Sequence, residues 1–146
     1  MKIAVSACLL GYNVRYNGTN KKNDRLLELI KDMDIIPICP ESSAKLKIPR
    51  DPIEIKDGRI IDPSGNDYTD ILSVADKKVY ERIKECDFLI LKTKSPSCGY
   101  GYIYDGNFNG TLIEGNGSFT QYCLDKGMKI YTEENLEEIE KEIKAL

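Results

Sequence analysis

Five cysteines, Cys8, Cys39, Cys86, Cys98 and Cys123, are the side chains of this 146-residue sequence best suited to chemistry, and the chain has no histidine. Without histidine, Ser–His and Cys–His nucleophilic machinery is excluded, as are histidine-ligated zinc and iron sites. Any proton transfer falls to carboxylates, Lys, Tyr, Cys, Ser or water. Three of the cysteines stand in turn-forming contexts: Cys8 precedes Leu9-Leu10-Gly11, Cys39 precedes Pro40-Glu41, and Cys98 lies in Ser95-Pro96-Ser97-Cys98-Gly99. Glycine and proline there suggest backbone fixed close to a ligand, with amides free to donate to sulfur or an anion.

The elements that must position these thiols follow from apolar periodicity, which alternates between strand and helix spacing. Residues 2–7 read as a short buried strand. Asn23 can cap a helix running to about Met33, and Ile35–Ile38 reads as a second strand that Pro37 demotes toward an edge. Asp57-Gly58 marks a two-residue hairpin turn within 53–61. An amphipathic helix over 69–84 turns Leu72, Ala75, Val79 and Ile83 inward, and 88–92 is apolar enough for a central strand. Residues 100–117 read as loop and short hairpin. A helix over 119–126 ends at Gly127, a strand covers 129–131, and a last helix buries Leu136, Ile139, Ile143 and Leu146. This succession predicts an α/β fold: a single three-layer, Rossmann-like domain over residues 1–146 with a mostly parallel sheet.

That map sorts the cysteines. In an open parallel sheet the carboxyl ends of the strands share one rim, where ligands bind. Cys8, Cys39 and Cys98 each follow a strand and so meet at that rim, from three segments distant in sequence. Cys86 precedes its strand and belongs to the opposite edge, and Cys123 reads as a small core residue within a helix. The simpler alternative, five buried apolar cysteines, fits each one taken alone. Structural zinc prefers four ligands and often Cys-x-x-Cys knuckles, which this chain lacks. An iron–sulfur cubane also normally takes four cysteines, so three would leave one iron open to a substrate.

Composition bounds the rest. Hydrophobic residues make up 41% and charged residues 31%, with a formal net charge of -3, so strong nucleic-acid or anionic-membrane binding is not expected. The chain starts directly in a strand-like run and has no apolar stretch near the ~20 residues that cross a bilayer, so a cytoplasmic location and no membrane association are expected. In a reducing compartment an odd number of cysteines points to ligation or catalysis rather than disulfides.

Several linked segments are similar to the thiouracil desulfidase family. They are Ser6–Gly11, Arg15–Gly18, Asn23-Asp24, Cys39–Glu41, Pro49–Ile55, Ser95–Gly99 and Tyr104–Leu112, running in order to about Thr120. The resemblance implies a 4Fe-4S cluster on three cysteines corresponding to Cys8, Cys39 and Cys98. It implies non-redox conversion of a thiolated pyrimidine, thiouracil, to uracil with release of sulfide, and dependence on iron–sulfur assembly machinery. It assigns an acid/base pair to Glu41 and Ser97; Glu41 would move protons at neutral pH if partial burial raised its carboxyl pKa. Many relatives carry cysteine where Val14 stands, and a Gly-Gly-Leu run where this chain has Ser43-Ala44-Lys45-Leu46.

Apart from the resemblance, Glu41 reads as a solvated or salt-bridged carboxylate and Ser97 as a turn hydroxyl. Arg15, Arg50 and Lys92 are candidate substrate or anion contacts, or else charges solvated or paired on the surface. Tyr100, Tyr102 and Tyr104 alternate along one strand face, as a stacking wall or as packing residues. The competing functional classes are a zinc-binding or structural cysteine-rich module, and a thiol redox protein using Cys98. The second lacks both a Cys-x-x-Cys motif and a histidine to activate the thiol. A nucleotide-phosphate protein has less support, since the first strand–helix turn carries no Gly-rich phosphate loop.

Overall fold

A computed structural model describes residues 1–145, so Leu146, expected in the last buried stripe, lies outside the described residues. The central sheet has strand order β2 (Asp34–Ile38), β1 (Lys2–Ser6), β5 (Phe88–Leu91), β8 (Ile130–Thr132), all pairs parallel. Interior strands of a parallel sheet are covered on both faces and so carry unbroken apolar runs. Phe88, Leu89, Ile90 and Leu91 are accordingly all buried. Pro37 lies on the edge strand β2, where its missing N–H leaves no gap in the ladder beyond it.

Alternation along the strands builds two cores. Ile3, Val5, Phe88 and Ile90 pack under α1 (Asp24–Ile30) and α5 (Leu136–Lys144) through Leu26, Ile30 and Ile139. Ala4, Leu89 and Leu91 pack on the other face against α3 (Thr69–Ile83) and α4 (Ser118–Asp125) through Val79, Ile83, Phe119 and Cys123. The result is the expected three-layer α/β architecture. Asn23 accepts a hydrogen bond from the Leu26 amide as the α1 cap, but the helix stops at Ile30, short of the expected Met33.

Two antiparallel hairpins stand outside the sheet. In the first, β3 (Glu54–Lys56) and β4 (Arg59–Ile61) are joined by Asp57 and Gly58, both at positive φ, as a tight hairpin turn requires. Simple alternation would turn Ile55 inward there. Instead Glu54 is buried and Ile55 only partly so. In the second, β6 (Tyr102–Tyr104) pairs with β7 (Leu112–Glu114) within the segment expected to hold a short hairpin. Two helical turns were not foreseen, and both carry a candidate cysteine. Ala7–Leu10 forms a 3₁₀ turn directly after β1, closed by Gly11 at φ 101°, and Pro40–Ser43 forms a single α-helical turn, α2, after β2.

Candidate active site

The strand order places a reversal of direction between β1 and β5, because the chain winds outward to β2 on one side and to β8 on the other. Crevices outside the carboxyl ends at such a switch point are the usual ligand sites of open α/β sheets. Here a cavity of about 450 Å³ opens at that point, within the range of small-molecule pockets. Cys8, Cys39, Cys98, Glu41, Ser97, Arg15, Arg50 and Lys92 all line it. Cys86 does not: it packs beside the amino end of β5, near Lys2 and Asp34 at the starts of β1 and β2. Cys123 is fully buried in the core. All five thiols are free.

Each site cysteine is held by local structure. Cys8 sits in the 3₁₀ turn, with its carbonyl accepting from the Gly11 and Lys21 amides. Cys39 caps α2, its sulfur accepting from the Ser42 amide at 3.4 Å, while Pro40 at the first helical position has no N–H in need of an acceptor. Cys98 is fixed by its turn. The Ser95 hydroxyl accepts from the amides of Ser97 (3.1 Å) and Cys98 (3.0 Å), and Thr120 donates its hydroxyl to the Cys98 carbonyl at 2.7 Å. The otherwise unpaired amides at the start of α4 close onto the same turn, Ser118 to Pro96 and Phe119 to Ser97, both at 2.9 Å. A Cβ on Gly117 would collide with the Ser97 backbone, so this close approach requires glycine.

Burial pushes the Cys8 thiol up to about 11, with Cys39 adding to the rise and Lys92 and Arg15 opposing it. Burial likewise raises Cys39, against the lowering hydrogen bonds from Ser42, and raises Cys98 strongly, with the nearby Ser6 hydroxyl opposing the rise. Cys39 raises Cys8, and both raise Cys98, so the three sense one another's charge across the cavity. Such thiols release their protons readily only to a cationic centre placed among them.

Glu41 and Ser97 meet although 56 residues separate them: the Ser97 hydroxyl donates to Glu41 Oε2 at 3.0 Å. Arg50 Nη2 donates to Oε1 at 2.8 Å, with Arg50 and Glu41 side chains only 11% and 15% exposed. Glu41 is therefore a doubly anchored side chain, ion-paired through one oxygen and hydrogen-bonded through the other. Arg50 and Lys92, both in the cavity lining, are ion-paired to Glu41 and Glu133. Lys92 Nζ stands 3.0 Å from Glu133 Oε2 and donates to the Thr93 carbonyl at 3.0 Å. Arg15 reaches Thr19 at 3.3 Å. Of the three tyrosines only Tyr104 lines the cavity; Tyr100 and Tyr102 are exposed rather than core.

Sequence reasoning missed several residues that shape this site: Ser95 and Thr120, which fix the Cys98 turn, and Glu54 and Phe108, which line the cavity. The Ser-Pro-Ser spacing signals a side-chain-to-backbone turn and could have pointed to Ser95. The others depend on contacts between distant segments.

The chain has matches among known families, proteins and structures. The model of the 2-thiouracil desulfurase family matches residues 3–135. The Bacillus subtilis (strain 168) protein YbbK, itself uncharacterized, is 33% identical over 149 residues, covering 94% of this chain and 99% of that protein. The solved structure of a 4Fe-4S-dependent thiouracil desulfidase, TudS, matches with a TM-score of 0.90 at 33% identity, over 99% of each chain. On a family match that spans all three rim cysteines and both partners of the Glu41–Ser97 hydrogen bond, the chain belongs to the 2-thiouracil desulfurase family.

Proposed function

We propose that residues 1–146 act as one cytoplasmic domain that removes sulfur from a thiolated pyrimidine without redox chemistry, using a 4Fe-4S cluster on Cys8, Cys39 and Cys98 and the pair Glu41 and Ser97. The observation that carries this reading is the convergence of three free thiols from three strand ends on one cavity that also holds an ion-paired carboxylate. Among the described residues, no three Cys, Asp or Glu side chains gather tightly enough to hold one metal ion. Thiols spread around a cavity suit a cluster whose irons each take one thiolate better than a single zinc ion, which needs its ligands at one point. Their high proton affinity also fits a donor set that a multivalent iron core must neutralise.

Held by these three cysteines, the cluster would supply one iron without a protein ligand, a soft Lewis acid matched to a thiocarbonyl sulfur. The chain's own residues account for the rest. Replacing C=S by C=O consumes one water, releases hydrogen sulfide and moves no net electrons. Water attacking the ring carbon must lose two protons. Glu41 would take one at Oε2 through the Ser97 hydroxyl, which donates to it at 3.0 Å, and both water protons end on the departing sulfur as hydrogen sulfide. Arg50 holds the carboxylate in place through their 2.8 Å ion pair, and the near-complete burial of Ser97 limits bulk water at that atom. Loading would depend on cellular iron–sulfur assembly machinery. No helix among the described residues is long and apolar enough to cross a membrane.

Iron and acid-labile sulfide analysis after anaerobic reconstitution, paired with sulfide release from 2-thiouracil, tests the proposal. About four irons and four sulfides per chain, with activity only in that form, is the expected result. Stoichiometric zinc with no iron uptake would overturn it.

A further inference from the structure

Phe108 occupies a conformation that its side chain disfavours. Its φ is 55°, in the left-handed region where a bulky residue crowds its own backbone and where Gly, Asn or Asp is ordinarily found. It lies in the loop between β6 and β7, flanked there by Gly106 and Asn107 on one side and Asn109 and Gly110 on the other. Asparagines on either side would meet the backbone requirement more easily, so the ring itself needs an explanation. Phe108 is half-buried and lines the cavity that the three thiols share, as does Tyr104 at the end of β6. Non-glycine residues in sparsely populated backbone regions persist where their surroundings force them, commonly at ligand sites.

The forcing element is visible. Glu54 on β3 is 8% exposed and accepts both the Gly106 amide (3.0 Å) and the Phe108 amide (3.1 Å) on the same oxygen, Oε1. Lys56 Nζ adds a hydrogen bond to Asn107 Oδ1 at 3.1 Å, and a Cβ at Gly106 would collide with Lys56. The loop is thus clasped to the first hairpin, with Phe108 presented toward the cavity. A carboxylate accepting amides from a loop 52 and 54 residues away has no role in the β3–β4 ladder, which the backbone alone completes.

We propose that Phe108, together with Tyr104, is the face against which a planar heteroaromatic ring stacks, and that Glu54 is the positioning residue that holds Phe108 there. This rests on the desulfidase reading above and specifies how the site selects an aromatic thiocarbonyl over an open-chain one. Stacking of a base on an aromatic side chain is sequence-tolerant and strong enough that its removal weakens binding on the order of tenfold.

The test uses cluster-loaded protein with two substrates, 2-thiouracil and thiourea; thiourea keeps the N–C(=S)–N unit but has no ring. Phe108→Ala is expected to raise KM for 2-thiouracil about tenfold with kcat within about twofold, and to lower kcat/KM for thiourea several-fold less than for 2-thiouracil. Glu54→Ala should reproduce that pattern, Glu54→Gln, which keeps an acceptor oxygen, should largely rescue it, and Glu54→Ala/Phe108→Ala should be no worse than Phe108→Ala. Equilibrium dialysis of labelled uracil gives a second readout, expected to weaken by the same factor. Unchanged KM and uracil binding in Phe108→Ala, or equal losses on both substrates, would overturn the proposal. Should the wild-type protein release no sulfide from either substrate, the desulfidase reading fails, and the dialysis result alone decides the stacking role. If Glu54→Ala fails to fold, the Phe108→Ala and Phe108→Leu variants decide it.

Discussion

Replacing Glu41 by Gln perturbs two functions at once, and the structure separates them. Gln keeps the size of the side chain and one acceptor oxygen, but it cannot carry a proton as a carboxyl does. Loss of general acid/base action is expected to lower kcat by about a hundredfold or more. The same change removes the charge facing Arg50, whose side chain is 11% exposed and whose Nε already has no partner. Breaking a buried ion pair typically costs about 3–5 kcal/mol; the retained amide acceptor argues for about 2–3 here. For a chain of this length that corresponds to a drop in Tm of roughly 5–10 °C. Thermal unfolding, iron content and steady-state sulfide release should be measured on Glu41→Gln, Arg50→Gln and the double variant under one set of anaerobic conditions. The double variant removes both charges and should recover part of the stability while turnover stays low. If it regains turnover as well, Glu41 serves only to neutralise Arg50. If Glu41→Gln alone turns over near the wild-type rate with its cluster intact, the proton travels another way.

Other expectations follow from the same geometry. Cys8→Ala, Cys39→Ala or Cys98→Ala should abolish cluster loading, whereas Cys86→Ala and Cys123→Ala should leave iron and sulfide content intact; a normally loaded Cys39→Ala protein would refute the ligand set. Asp76 on α3 is 3% exposed with Oδ1 unpartnered, and burial pushes its carboxyl from 3.8 to about 7; the nearby Ser118 hydroxyl opposes that rise without forming a hydrogen bond of ordinary geometry. Because the folded state holds this proton more tightly, stability should be unaffected below pH ~4, fall as pH rises toward ~7, and stay low above it. The gap, at about 1.36 kcal/mol per pH unit, gives on the order of 4 kcal/mol as an upper figure. Asp76→Asn should therefore be more stable than wild type in urea at pH 8 and nearly equal at pH 4, and equal stabilities at pH 8 would contradict this.

The sequence made the layers legible because burial on both faces writes itself as unbroken apolar runs, and the β5 segment is the clearest case. It also separated Cys8, Cys39 and Cys98 from Cys86 and Cys123, since position before or after a strand is a local property. Strand order was not legible, so the reversal between β1 and β5 that opens the cavity emerged only from the structure. Helix α2 is a single turn capped by a thiol, too short for periodicity to register. The Arg50–Glu41–Ser97 chain and the Glu54 clasp join segments 9 to 56 residues apart, and no local pattern encodes such pairings. Asp76 did leave a signal: it stands within the stripe of Leu72, Ala75, Val79 and Ile83, a polar residue where the helix turns inward.

The most direct test of the central claim is a turnover experiment without electrons. Anaerobically reconstituted protein is mixed with excess 2-thiouracil in the absence of any reductant, and uracil and sulfide are both quantified. Equal amounts of the two, accumulating over many turnovers, are the expected result. A strict requirement for a stoichiometric electron donor, or uracil formed without matching sulfide, would contradict hydrolytic desulfuration at this site.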